Sequence, residues 1–294
     1  MEKRTDLAVE ARELAGEDVQ GVELKTRKEN GTEITRLVVK NHRAGVKLRK
    51  EQGTYITIDI PAMTDNFPVN DARVEIIGRE IRRLLPVNGL VLVCGLGNTE
   101  ITPDALGPKS ASRVLATRHI TGELARSTGL DNLRPVAVLS TGVTGQTGIE
   151  TSEYIESIVK NVKPNAVVVI DALASRRVSR LGTTVQISDT GISPGAGVRN
   201  HRRKINRDTL GVPVIAIGVP TVVDSLTLVS DLLRIEDEKT SGELKKLLSP
   251  RGSTMVVTPK EIDLLIDRAS RLVSLSLNRA LQTEVDLSTI EALI

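Results

Sequence analysis

The chain has few aromatic residues and a single cysteine. Among its 294 residues there is no Trp, one Phe and two Tyr. Cys94 alone excludes an internal disulfide and any zinc site built from several cysteines, and it suits a reducing compartment. So few aromatic rings also argue against a stacking surface for single-stranded nucleic acid. We therefore expect an aliphatic core of Val, Ile, Leu and Ala.

The sequence also lacks an excess of one charge and any long apolar run. Its 40 basic and 37 acidic residues leave a formal net charge of +3, which is not the polybasic surface of a dedicated nucleic-acid binder. The start, Met1 to Asp6, has no apolar core, and no stretch of about 18 uncharged apolar residues occurs. We expect a cytoplasmic protein without direct nucleic-acid or membrane partners.

Apolar patterning predicts an α/β fold. Residues 21–60 have strand character around Asn30-Gly31, a pair typical of tight hairpins, and helical spacing follows Pro68. Continuous apolar runs, which are typical of strands buried on both faces, then recur at Leu90–Val93, Val136–Leu139, Ala166–Ile170 and Val214–Ile217. We predict a three-layer α/β sandwich with a mostly parallel central sheet, plus an N-terminal β-hairpin region.

The end of the chain predicts a long helix. Thr258 can cap it, Pro259 suits its first turn, and Glu261 completes a capping box. One apolar face would consist of Ile262, Leu265, Ile266, Ala269, Leu272, Val273 and Leu277. Residues 235–250 are charged and poorly patterned, which indicates an exposed loop or a short helix.

Two aspartates follow apolar runs, where parallel sheets collect their reactive loops. Asp104 lies in the loop after the first run, and Asp171 directly follows the third. Two carboxyl groups that share a water do not both ionise, so one can act as base and the other as acid. Such a pair can hydrolyse an amide without a metal. The alternative for each aspartate is a helix or turn cap.

Other known hydrolase patterns fit poorly. Gly191-Ile192-Ser193-Pro194-Gly195 matches G-x-S-x-G, but the residue after this serine is a proline, which has no N–H for an oxyanion hole. The histidines, His42, His119 and His201, are far apart in sequence and form no H-E-x-x-H motif. We therefore predict neither a serine hydrolase nor a zinc protease, and no cofactor or metal.

Glycine-rich and basic segments leave binding roles open. Gly95-Leu96-Gly97 and the 142–148 loop match neither nucleotide-binding glycine motif, so they either admit a bound chain closely or simply turn. The basic run 201–204, which includes Arg202, is either a solvated surface or a partner for acidic groups on a substrate.

Several longer segments resemble the germination protease family of spore-forming bacteria. They begin with Arg4 to Glu10 and continue mainly from Gly95 onward. The matching segments are Gly95–Asn98, Thr102–Pro108, Thr117–His119, Gly148–Ser152, Ile170–Ala174, Gln186–Ile192, Leu210–Asp224 and Met255–Glu261. In that family the essential aspartates lie in T-P-D-A-L-G-P and I-D-A-L-A, which selects Asp104 and Asp171 here. One departure is that many relatives carry a longer insertion between Asp224 and Leu248.

The resemblance implies a fold similar to the phosphorylase/hydrolase-like fold and a homotetrameric zymogen in the spore core. Its substrates would be small acid-soluble spore proteins. Thr5 to Glu10 resembles the acidic, apolar, Ala, any, Glu pattern that the family cuts. It thus implies self-cleavage between Asp6 and Leu7, with residues 1–6 a propeptide and 7–294 one peptidase domain; a helix cap at Thr5 or Asp6 is the alternative. Candidate substrate contacts are Arg118, His119, Asp189 and Arg202.

Two other classes remain open on the sequence. One is a maturation peptidase of the hydrogenase-processing type, whose acidic residues hold a metal. The other is a regulatory protein without enzymatic activity that binds a nucleotide through its glycine loops. Metal dependence and nucleotide binding would separate them from a metal-free aspartic peptidase.

Overall fold

The computed structural model describes residues 4–16, 18–123, 132–193, 203–233, 244, 247–248 and 255–293. The strands are β1 Val22–Glu29, β2 Thr32–Val39, β3 Gly53–Asp59, β4 Val91–Gly95, β5 Val136–Ser140, β6 Ala166–Ser175, β7 Thr184–Ser188, β8 Val214–Asp224 and β9 Val256–Val257. The helices are α1 Ala8–Ala15, α2 His42–Leu48, α3 Ala72–Leu84, α4 Leu106–Ala111, α5 Thr144–Thr147, α6 Thr151–Val162, α7 Arg207–Leu210, α8 Ser225–Leu232, α9 Ile262–Leu281 and α10 Leu287–Leu293.

The strands form one mixed sheet in the order β1-β2-β3-β7-β8-β6-β4-β5, with β9 on β8. The pairs β8–β6, β6–β4 and β4–β5 are parallel, and their strands come from the four continuous apolar runs. The pairs β1–β2, β2–β3, β3–β7 and β7–β8 are antiparallel. The prediction of a mostly parallel sheet therefore holds for only one half, because β7 reverses direction and joins the N-terminal strands to the parallel ones.

Helices pack on both faces of this sheet. On one face α3, α4 and α9 cover a large aliphatic core that includes Val93, Val168 and Ile217. On the other face two smaller clusters lie side by side. The first holds Ile155 of α6 against Val167 and Val169 of β6. The second holds Ala8 of α1 and Leu48 of α2 against Leu37 of β2. Side chains alternate between the faces because successive residues of a strand point in opposite directions.

The C-terminal helix α9 is confirmed, but its expected cap is wrong. It begins at Ile262 after Glu261, which makes no side-chain capping bond. The Thr258 hydroxyl instead donates to the Thr221 carbonyl oxygen of β8, at 2.9 Å. Of the predicted apolar face all but Ile262 is fully buried, and Ile262 is partly buried. Tertiary contact with β8 therefore replaces the local capping bond.

The first described residues pack against the fold instead of extending from it. Leu7 and Ala8 are fully buried, and Ala8 belongs to the cluster of α1, α2 and β2. The helix α1 starts with Leu7 as its N-cap and has no side-chain cap, although the Gln186 side chain accepts from the Ala8 N–H at 2.7 Å. Most of the 235–250 segment lies outside the described residues. In the described part of the chain, no helix has the length and apolar character that a membrane span needs.

Candidate active site

A cavity of about 870 Å³ opens on the sheet face between the α1–α2 cluster and the α6–α7 cluster. Its floor includes Asp171 of β6, Gly218 of β8 and Gln186 of β7. These residues form one row across the sheet, since Gly218 is the register partner of both Asp171 and Gln186. A β-carbon at Gly218 would overlap the Leu173 side chain, so a glycine at this position lets that side chain lie over the row.

Asp104 reaches the cavity from the loop after β4. The turn Thr102–Asp104 is held against β8, where the Thr221 hydroxyl donates to the Pro103 carbonyl at 2.8 Å. The Asn98 N–H donates to the Asp104 carboxylate at 2.8 Å, and this bond fixes the side chain. Gly97 has a φ of +118°, and a β-carbon there would overlap the Asp104 carbonyl oxygen. A glycine at position 97 is thus needed to bring Asp104 to the cavity wall.

Asp171 lies inside a strand instead of at its end. The strand β6 continues four residues further, to Ser175, whereas its neighbour β4 stops at Gly95. Asp171 is 7% exposed and lines the cavity, and the Ala172 N–H donates to its carboxylate at 2.9 Å. Because β4 ends early, the loop that carries Asp104 can pass over this part of β6. The structure therefore places the two predicted aspartates around the same cavity.

The N-terminal segment forms part of the cavity wall through Asp6. The Asp6 N–H donates to the Ala174 carbonyl at 2.8 Å, and the Ala174 N–H donates to the Asp6 carboxylate at 2.8 Å. The Asp6 carbonyl oxygen accepts from Lys50 Nζ at 2.8 Å and from Gln186 Nε2 at 3.0 Å. The peptide bond between Asp6 and Leu7 is thus held at its carbonyl by two side chains.

Four residues further on, Glu10 anchors the segment again. Its fully buried carboxylate accepts from the backbone N–H groups of Arg176 and Arg177, at 2.7 and 3.0 Å, and from the Thr5 hydroxyl. Thr5 also accepts the Leu7 N–H through its hydroxyl oxygen, at 3.0 Å. Val9, between the anchored residues, is only partly buried.

Burial changes the ionisation of the groups around Asp6. Desolvation raises the pKa of the Asp6 carboxyl, although Lys50 and the Ala174 N–H oppose the shift. Desolvation lowers the pKa of the Lys50 ammonium, which Asp6 and Glu10 oppose. Burial also raises the pKa of Tyr55, another residue of the cavity wall, to about 12. The phenol therefore stays protonated at neutral pH.

The other candidate contacts lie elsewhere. Arg118 and His119 are exposed, and the Arg118 N–H donates to Val136 at the start of β5, away from the strand ends that face Asp104. Asp189 is exposed beside the cavity-lining Ser188 and Thr190, and its carboxylate accepts the Thr54 N–H at 2.7 Å. Arg202 lies outside the described residues. The structure thus brings none of the three described residues into the cavity wall.

Only some residues of the remaining sequence motifs line the cavity. Gly191, Ser193 and His42 line the cavity, whereas Pro194 and His201 lie outside the described residues. Val143 of the second glycine loop lines it too. Within the described ranges, no group of three or more His, Cys, Asp or Glu side chains is arranged to hold a metal ion. Burial raises the pKa of the Cys94 thiol, as expected for a core residue.

Sequence reasoning assigned no role to Lys50 or Gln186. Gln186 alternates with the core residues Val185 and Ile187, so a polar side chain on one face of a buried strand was the available signal. Lys50 follows the short helix α2 in a charged stretch and gives no comparable signal.

Comparison with known proteins supports the resemblance. The family model described as "Germination protease" matches residues 2–236. The chain belongs to the germination protease family. The germination protease of Caldanaerobacter subterraneus subsp. tengcongensis is 44% identical over 305 residues, covering 95% of this chain and 94% of its own. That of Clostridium acetobutylicum is 40% identical over 320 residues, covering 98% and 97%. That of Priestia megaterium is 35% identical over 351 residues, covering 96% and 94%.

Among solved structures, the chain is similar to a [NiFe] hydrogenase maturation protease, HycI, from Thermococcus kodakarensis. The sequences are 20% identical, and the match covers 68% of this chain and 98% of the other. The TM-score is 0.38, which is too low to support an argument about shared architecture or activity.

Proposed function

We propose that this member of the germination protease family is an aspartic endopeptidase that uses Asp104 and Asp171 to activate water. The observation that carries the proposal is that both aspartates, one from the loop after β4 and one from β6, line a single cavity. Family membership supports peptidase activity, and the shared cavity supports these two carboxyl groups as its source.

The chemistry follows from two carboxyl groups of unequal protonation. The ionised carboxylate takes a proton from water, whose oxygen attacks the carbonyl carbon of the substrate. The protonated carboxyl then gives its proton to the leaving nitrogen as the C–N bond breaks. The products are a new carboxylate and a new amine. No step needs a metal or a cofactor.

We further propose that the chain is a zymogen that cuts its own bond between Asp6 and Leu7. Residues 1–6 would then be the propeptide, and residues 7–294 the peptidase domain. The position of Asp6 in the wall of the cavity that both aspartates line supports this assignment. Because Glu10 and the core contacts of Ala8 follow the bond, the new terminus at Leu7 would remain anchored after cleavage.

We propose small acid-soluble spore proteins as substrates, degraded in the spore core at germination by a homotetramer. Family membership supports these expectations. Exposed apolar side chains at Leu232, Leu233 and Met255 support subunit contacts among the described residues. Light scattering of the purified protein would give its mass in solution.

The test of the proposed function is to incubate the purified chain with a small acid-soluble spore protein and to map the products by mass spectrometry. We expect defined internal cleavage that a chelator and serine or thiol reagents leave unchanged. Activity that a chelator abolishes and added metal restores would instead support the hydrogenase-processing class. Nucleotide-dependent thermal stabilisation without any cleavage would support the regulatory class.

A further inference from the structure

We infer that Lys50 and Gln186 are catalytic residues that bind and polarise the carbonyl oxygen of the peptide bond to be cut. This inference rests on the proposed cleavage between Asp6 and Leu7. In the structure the carbonyl oxygen of this bond accepts hydrogen bonds from both side chains, at 2.8 Å from Lys50 Nζ and 3.0 Å from Gln186 Nε2.

The donors converge on one atom, and one of them is cationic. A carbonyl oxygen gains negative charge when water attacks its carbon, and donors fixed beforehand around it stabilise that charge. The Lys50 ammonium and the Gln186 amide can therefore serve as an oxyanion site. As the carbonyl carbon gains its bond to water, the carbonyl oxygen carries the electron pair of the former π bond until the C–N bond breaks. Both donors keep their protons throughout.

Gln186 also fixes the main chain on the other side of the bond. Its amide oxygen accepts the Ala8 N–H at 2.7 Å while its amide nitrogen donates to the Asp6 carbonyl. Both contacts are to backbone atoms. The Gln186 side chain therefore binds main-chain groups of two residues, Asp6 and Ala8, whatever side chains these residues carry. Ala8 begins α1, so the contacts of Gln186 span the bond to be cut and the start of that helix.

The sheet register places Gln186 two strands away from the carboxylate of Asp171. Gln186 and Asp171 lie on either side of Gly218 in one cross-strand row, and all three line the cavity. Two interstrand spacings put their Cα atoms about 10 Å apart. Both side chains line the same cavity, and the Leu173 side chain covers Gly218 between them.

The experiment compares full-length Lys50→Met, Gln186→Glu and wild-type proteins by the rate at which each cuts its own Asp6–Leu7 bond, followed by N-terminal sequencing over time. Gln186→Glu keeps an acceptor for the Ala8 N–H but removes the donor to the carbonyl. The matched controls are Lys47→Met and Gln20→Glu, which change exposed residues outside the cavity.

We expect each of the two variants to lower the first-order rate constant of processing at least about tenfold, since loss of one oxyanion donor typically costs 10²–10³ in kcat. Lys50→Arg, which keeps a charged donor, should recover part of the loss. A variant that never completes its own processing is the extreme form of the expected result. Circular dichroism confirms folding, and if Lys50→Met does not fold, Gln186→Glu decides.

Folded variants that process the Asp6–Leu7 bond at the wild-type rate would overturn the inference. The proposed function fails in a different way, through wild-type protein that leaves the Asp6–Leu7 bond intact or through Asp104→Asn protein that cuts it. The two ideas can therefore fail separately.

Discussion

The parallel and antiparallel halves of the sheet contribute to the site by different means. The parallel half, β8, β6, β4 and β5, carries Asp171 and positions Asp104 through short loops and a buried strand. The antiparallel half, β1, β2, β3 and β7, supplies Gln186 and supports α1 and α2, next to which Asp6 and Lys50 lie. In the proposed mechanism the parallel half carries both carboxyl groups, whereas both halves bind the N-terminal segment, through Ala174 of β6 and Gln186 of β7.

The largest effect should come from the parallel half. Asp171→Asn removes an ionisable group and keeps an acceptor for the Ala172 N–H, so the fold should persist while cleavage falls about 10²–10⁴-fold. The assay is cleavage of a small acid-soluble spore protein, with thermal unfolding to monitor the fold. Asp263→Asn, an exposed carboxylate on α9, is the control. A folded Asp171→Asn protein with wild-type activity would show that cleavage does not require the Asp171 carboxyl group.

A backbone change in the same half should act on activity and stability together. Gly97→Ala forces a side chain onto a φ of +118° and against the Asp104 carbonyl, which we expect to cost about 1–3 kcal/mol and to displace Asp104. Gly145→Ala is the control for stability, because a β-carbon there meets nothing within 4 Å. Denaturant titration measures the stability of both variants, and the cleavage assay measures their activity. Equal stability of the two variants would show that the Gly97 turn is not strained by a side chain.

In the N-terminal segment, where α1 is tied to the residues after β6, the effect should fall on stability. Glu10→Ala leaves the N–H groups of Arg176 and Arg177 without their buried acceptor, which should cost about 1–3 kcal/mol. Glu13→Ala on the same helix removes only partly exposed ion pairs with Arg176 and Arg177, each worth less than about 1 kcal/mol. Chemical denaturation compares them. If Glu13→Ala were the more damaging change, the Glu10 anchor would have no special role.

The smallest effect tests a helix outside the site. The Asp71 side chain caps α3, and its side-chain hydrogen bond with Arg73 lowers the pKa of its carboxyl. Because the folded pKa is lowered, the ionised cap stabilises the fold above the unfolded pKa of about 3.8 and is lost as pH falls through the folded value. Asp71→Ala should cost about 1 kcal/mol at pH 7 and progressively less in acid.

The control for this cap is Asp71→Asn, which accepts the same N–H without a charge. Its stability relative to Asp71→Ala should not change between pH 7 and pH 3. Thermal unfolding across this pH range provides the comparison. A cost of Asp71→Ala that stayed constant down to pH 3 would show that the charge of Asp71 adds nothing to the cap.

The same contrast explains what could be predicted from the sequence. In the parallel half, strands buried on both faces require continuous apolar runs, so β4, β5, β6 and β8 and the aspartates near their ends could be located directly. The bounds were less accurate. The strand β6 runs past Asp171 because β8 and the N-terminal segment pair with its end, and those partners are distant in sequence.

In the antiparallel half, the hairpin of β1 and β2 could be placed from Asn30-Gly31, but β7 could not. Its residues alternate Val185 and Ile187 with Thr184, Gln186 and Ser188, and such a short polar–apolar segment is not distinctive. Lys50 and Gln186 gain their roles only through contacts with Asp6, more than 40 residues away in each case. Such contacts depend on the folded arrangement, which no local pattern encodes.

The central claim is that Asp104 and Asp171 act together on a peptide bond held in the shared cavity. N-terminal sequencing of the full-length chain after incubation, compared between wild type and Asp104→Asn, tests it most directly. We predict a new end at Leu7 in the wild type and an intact Met1 in folded Asp104→Asn protein. A new Leu7 end in both proteins, or fully active wild type that retains Met1, would contradict the account.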